Sequence, residues 1–96
     1  MATTASKSLH TMARLWEYKV VYTNPEHEWT GEHYYMTEDA TQALENHAVI
    51  AESHDRLLPV SAVFKYCPYS EKWQDETSTV TDLINNINER KHGNTN

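Results

Sequence analysis

Two glycines and three prolines in 96 residues are too few for a glycine-rich phosphate loop, a collagen-like repeat or a flexible linker. A single cysteine, Cys67, excludes an internal disulfide and fits a reducing compartment. No apolar run approaches the length of a membrane span. The opening segment, MATTASKSLHTMARL, has no apolar block of secretory-signal length. It is rich in Ser and Thr, holds Lys7 and Arg14 and lacks acids. Residues 1–14 therefore read as a flexible leader, with a transit peptide as the alternative.

Basic residues are also scarce. Eight Lys and Arg stand against fourteen Asp and Glu, for a net charge of −6. The imbalance is local: residues 17–55 hold nine acids and only Lys19. A general nucleic-acid binder needs cations to displace counterions from phosphates, so this distribution argues against one. It favours a protein partner with a basic surface.

What is present is a clear change of period. WEYKVVY, residues 16–22, alternates, with Trp16, Tyr18, Val20 and Tyr22 on one face, and predicts a strand. TNPEHE is a turn, and WTGEHYYM, residues 29–36, predicts a second strand with a bulge at Gly31. TEDATQALENHAVIAESH, residues 37–54, predicts a helix capped by Thr37 or Asp39. Its apolar face is Ala40, Ala43, Leu44, His47, Ile50, Ala51 and His54. VSAVFKYC, residues 60–67, predicts a third strand with Val60, Ala62, Phe64 and Tyr66 on one face. Residues 68–77 read as a polar connection. A second helix is expected from about Ser78 to Lys91, with a Thr79/Asp82 capping-box variant and closure at Gly93. The expected fold is α+β over residues 15–91: a three-stranded antiparallel sheet, β-β-α-β in order 2-1-3, packed on one helix, plus a C-terminal helix. Residues 92–96 read as a disordered tail.

The histidines invite a metal reading. HEWTGEH fails H-E-x-x-H because Gly31 stands at the second ligand position, and it fails H-x-x-E-H because Trp29 does. A looser site from His27 and His33 with a carboxylate, or from His47 and His54, stays open. Solvated or core-edge histidines are the plainer alternative. Cys67 has no elbow or signature around it, and no catalytic motif is present, so no enzyme, cofactor or resident metal is expected. The ten aromatics are mostly Tyr and Trp, the types that protein interfaces favour. Trp16, Tyr18, Tyr22, Phe64 and Tyr66 are assigned to the core. Trp29, Tyr34, Tyr69 and Trp73 lie in polar surroundings, where at least one is expected to be exposed. Glu38, Glu45 and Glu52 recur every seven residues and share a helix face. With Glu26, Glu28, Glu32 and Asp39 they make an anionic surface, either simply solvated or aimed at a basic partner.

LWEYKVVY, GEHYYMTEDATQALENH and VSAVFKYCP together resemble small phage accessory proteins, and among them the podophage inhibitor of host RNA polymerase. The resemblance covers residues 15–68. It implies a small ββαβ protein that binds the polymerase's largest subunit near its DNA channel through an acidic strip and basic residues on the last strand. Lys65 matches one such basic residue, Val63 stands at the companion position, and the second helix has no counterpart. The expectation is a non-enzymatic, phage-type inhibitor in the cytoplasm of a bacterial host, acting as monomer or homodimer without contacting nucleic acid or membrane. Its expected contacts are Glu26, Glu28, Glu32, Glu38, Asp39, Glu45, Glu52, Trp29, Lys65 and Trp73. The alternatives are an anti-CRISPR or anti-restriction inhibitor that mimics DNA, a metal- or ligand-binding protein, and an oligomeric accessory protein paired through a sheet edge.

Overall fold

The computed structural model describes residues 14–24, 26–54 and 58–94, with the side chains of the last helix described as far as Arg90. The leader therefore lies almost wholly outside the described residues. β1 (Trp16–Asn24) and β2 (Trp29–Thr37) form an antiparallel hairpin. Helix α1 (Ala40–Ser53) leads to β3 (Val60–Cys67), β4 (Lys72–Asp75), a 3₁₀ turn (Thr77–Val80) and helix α2 (Thr81–Asn94).

The sheet has four strands in the order β2-β1-β3-β4, all antiparallel. The expected 2-1-3 order is present with β1 inside, and the fourth strand is a correction. Lys72–Asp75 was expected to be connection, but it pairs along β3 from Phe64 to Cys67. A short polar edge strand carries no apolar alternation to announce it.

Both helices cover one face. The core joins Tyr18, Val20, Val60 and Val63 of the sheet to Ala40, Ala43, Leu44, Ala48 and Ala51 of α1 and to Val80, Ile84 and Ile87. The alanines let α1 lie close, and Leu44 fills the gap between layers; its truncation to alanine would cost about 2–5 kcal/mol. Ile50 and His54 are exposed, against expectation, and Ala48 takes the inner position instead.

Three local features depart from the sequence reading. Gly31 makes no bulge, because the β1–β2 register runs unbroken from Trp16↔Thr37 to Asn24↔Trp29. The irregularity lies between β1 and β3, where Val21 pairs with Ala62 but Tyr22 pairs with Val60. Ser61 is the extra residue, and its hydroxyl donates to Val21 O at 3.3 Å. The bulge lets Val60 and Val63 both point inward and turns Phe64 and Tyr66 to the opposite face, so these two rings are not core. Finally, α2 continues through Gly93 to Asn94, and the turn before it is tied by Asp75, whose carboxylate accepts from Thr77 N at 2.8 Å. Hydrogen bonding from the Thr77 side chain, and secondarily from its backbone N–H, holds the Asp75 carboxyl below its ordinary pKa. The expected Thr79 cap is not used.

Asp39 is the N-cap of α1, its carboxylate accepting from Gln42 N at 2.8 Å. Such a cap contributes about 1 kcal/mol. Thr37 instead donates to Asp39 O at 2.8 Å. Among the described residues no helix is long and apolar enough to cross a membrane.

Candidate protein-binding face

Strand alternation sends every second residue away from the helices. On β1 these are Glu17, Lys19, Val21 and Thr23; on β2, Thr30, Glu32, Tyr34 and Met36. β3 adds Ala62, Phe64 and Tyr66, and β4 adds Trp73 and Asp75. None of them is buried, so the described residues leave this sheet face open.

The centre of the face is aromatic. Lys19 pairs with Tyr34 on one side and Phe64 on the other, and Tyr66 pairs with Trp73. The Tyr66 and Trp73 rings meet edge-on with centroids 5.1 Å apart. Tyr34 and Trp73 are 5.8 Å apart although two strands separate theirs. Backbones that far apart stand about 14 Å from each other. The two side chains must therefore lean inward and roof the middle strands. Beneath them lies the Lys19 ammonium, 5.0 Å from the Phe64 ring centroid, 4.7 Å from that of Trp73 and 4.0 Å from Glu32 Oε2. The Tyr34 hydroxyl donates to Glu32 Oε1 at 2.6 Å, and this bond raises the phenol's pKa.

These contacts fix the character of the face. Its lysine is engaged by rings and by Glu32, while Glu17 and Asp75 remain, so its residual charge is negative. Tyr34 is 51% exposed and Met36 60%, an apolar surface that no element among the described residues covers. The chemistry it offers is stacking, apolar contact and acceptance of hydrogen bonds from cations.

The expected contact residues do not share one surface. Glu32 and Trp73 lie on the open face. Glu45 and Glu52 are exposed on α1, but Glu38 does not share their helix face, because the helix starts at Ala40 and Glu38 stands exposed in the bend before it; Asp39 is tied up as the cap. Glu26, Glu28 and Trp29 sit at the hairpin turn, where Asn24 Oδ1 accepts from Glu26 N and His27 N at 3.0 and 3.3 Å. Glu28 there takes φ 55°, a left-handed conformation that closes the turn. Lys65 points to the helix side, 3.9 Å above the Trp16 ring, and Arg14 lies 4.1 Å from the same ring. The alternation of β1 set Lys19 on the face away from Tyr18 and Val20, but Phe64 and Tyr66 were assigned to the core; their place on the open face could have been found only from the bulge.

The histidines are re-sorted as well. His27 is in the turn, and the His54 ring Nδ1 bonds Ile50 O at 2.8 Å, so neither expected pair is joined. The fold instead brings His33 of β2 to His47 of α1, with ring centroids 5.5 Å apart. Among the described residues no three His, Cys, Asp or Glu side chains are placed to hold a metal ion together. Cys67 ends β3, its thiol held below the ordinary pKa chiefly by hydrogen bonds from Ser70. A shallow depression of about 330 Å³ is lined by Thr41 and residues 78–83, with Asp82 as its one ionisable side chain. No protein-family model, curated protein or solved structure matches this chain.

Proposed function

We propose that this chain is a small non-enzymatic protein of the phage-inhibitor type. It binds a basic surface of a bacterial protein that handles nucleic acid and blocks that surface, in the bacterial cytoplasm. Host RNA polymerase is the first target, in line with the sequence resemblance; a defence nuclease complex, engaged by DNA mimicry, is the second. The observation that carries the reading is the open sheet face, with Tyr34, Tyr66 and Trp73 clustered over a neutralised Lys19 beside Glu32. Aromatics in this setting act as anchors at protein interfaces. Nucleic acid would also stack on such rings, but it needs unpaired cations beside them, and this face offers acids. The exposed acids Glu38, before α1, and Glu45 and Glu52, on it, act at longer range, raising the encounter rate with a basic partner.

The test is transcription by purified bacterial RNA polymerase with the protein added. Inhibition is expected, together with its loss when Tyr34→Ser and Trp73→Ser are combined. Transcription untouched by the wild-type protein would sink the polymerase target. Full inhibition by the double variant would sink the open face.

A further inference from the structure

On the opposite side of the sheet, the partner-binding reading leaves a cluster of four rings unused: Tyr22, His33, Tyr35 and His47. Three elements of the fold bring them together. Tyr22 is an inward position near the end of β1, His33 and Tyr35 are successive inward positions of β2, and His47 sits on the buried stripe of α1, 2% exposed. Tyr22 reaches His33 only because Gly31, its cross-strand partner, has no side chain: a Cβ there would stand 2.5 Å from the Tyr22 Cζ and Oη.

The polar atoms of these rings converge. The Tyr35 hydroxyl oxygen lies 2.9 Å from His47 Nδ1 and 3.5 Å from His33 Nδ1. His33 Nε2 lies 3.4 Å from the Tyr22 hydroxyl oxygen. A hydrogen on His33 Nε2, donated to Tyr22, leaves the Nδ1 lone pair facing Tyr35. This is how histidine ligands are commonly oriented, one ring nitrogen held by an outer partner and the other free to bind. Donor atoms bound to one ion at about 2.0–2.1 Å stand ~2.9 Å apart as neighbours in the square plane that Cu²⁺ favours, and ~3.3 Å apart in a tetrahedron. The distances 2.9 and 3.5 Å cover the range from the planar to the flattened arrangement. Imidazoles on such an ion have centroids ~5 Å apart, near the 5.5 Å found here.

We propose that Tyr35, His33 and His47 form a binding site for a divalent transition-metal ion, with Tyr22 as the outer residue that orients His33. Two imidazole nitrogens and one phenolate oxygen form an N,O set suited to Cu²⁺, which also heads the divalent affinity order. Binding forms a bond from the ion to the Tyr35 oxygen, and the phenol proton passes to solvent. His33 is exposed and gives the ion its way in.

The test is titration of the purified protein with CuCl₂ in a buffer that does not chelate, followed by visible absorbance and by thermal melting. A saturable visible phenolate-to-copper charge-transfer band is expected, along with a rise in melting temperature. Tyr35→Phe should abolish the band while the protein still melts cooperatively. His33→Ala should weaken binding about tenfold or more, as loss of a ligand or its support does. His27→Ala and His54→Ala should leave the titration unchanged. Saturation without the band, or a titration that Tyr35→Phe and His33→Ala leave unaltered, would overturn the proposal.

Discussion

Burial beside Tyr35 and Tyr22 holds the His47 imidazole neutral, lowering its pKa from 6.5 to about 4, chiefly through lost hydration and secondarily through the nearby His33. The unfolded chain takes up this proton near pH 6.5, whereas the folded chain resists until about pH 4. The stabilisation is therefore complete above pH 6.5 and is lost as pH falls through that window. Solvent near the cluster screens part of the effect, leaving a loss of about 2 kcal/mol. Melting temperatures measured from pH 7 to pH 4 should drop across the window, and His47→Leu should flatten the drop. Parallel curves for the two proteins would argue against His47 as its source. Little of this environment was legible in the sequence. The helical spacing put His47 on the buried side of α1. It could not show which other histidine would face it, because His33 arrives from a strand whose register the sequence leaves open. Tyr34 shows the reverse case, since its polar neighbours correctly indicated exposure.

The strands and helices were legible to within a few residues where the apolar period was strong, as in WEYKVVY, VSAVFKYC and the alanine-rich α1. The periods do not show where side chains satisfy the backbone. Asn88 is the instructive residue. Three asparagines make α2 a poor helix by propensity, yet Asn88 Oδ1 accepts from Val60 N at 2.9 Å and its Nδ2 donates to Val60 O at 3.2 Å. β4 pairs with β3 only from Phe64 to Cys67, so the outer edge at Val60 has no strand beside it, and α2 supplies the missing partners. Thr77 does the same farther along β3, accepting from Val63 N at 3.1 Å. Asn88→Ala would orphan two backbone groups beside the core and should lower stability by about 1–3 kcal/mol in urea unfolding. Asn85→Ala and Asn86→Ala, on the exposed side of α2, should be neutral or slightly stabilising. Equal effects at all three positions would mean that helix propensity, and not the tie to Val60, sets the contribution. The bulge at Ser61 explains the misplaced faces of β3. An alternation argument counts by twos, and one extra residue sends Phe64 and Tyr66 to the other side.

At the scale of the molecule, the described acids of residues 17–55 are spread over several places. Glu38, Asp39, Glu45 and Glu52 lie at the start of α1 or along it, Glu17 and Glu32 on the open sheet face, and Glu26 and Glu28 at the hairpin turn. Charge counted along a chain gives the sign of the field but not where contacts form. The account therefore assigns contact energy to the aromatic centre of the open face and long-range attraction to Glu38, Glu45 and Glu52. These roles separate by salt, since steering between exposed charges fades beyond a Debye length of about 8 Å at physiological ionic strength and buried aromatic contacts do not. The most direct measurement is quantitative capture from bacterial lysate at low and high salt with three baits: wild type, Tyr34→Ser with Trp73→Ser, and Glu38→Gln with Glu45→Gln and Glu52→Gln. The account predicts that one nucleic-acid-handling protein with a basic surface is retained by the wild type at both salts. The triple variant should lose it only in part, chiefly at low salt, and the open-face variant should lose it altogether. Equal recovery of that protein on the open-face variant, or no such protein on the wild type, would contradict the claim that this sheet face is the binding surface.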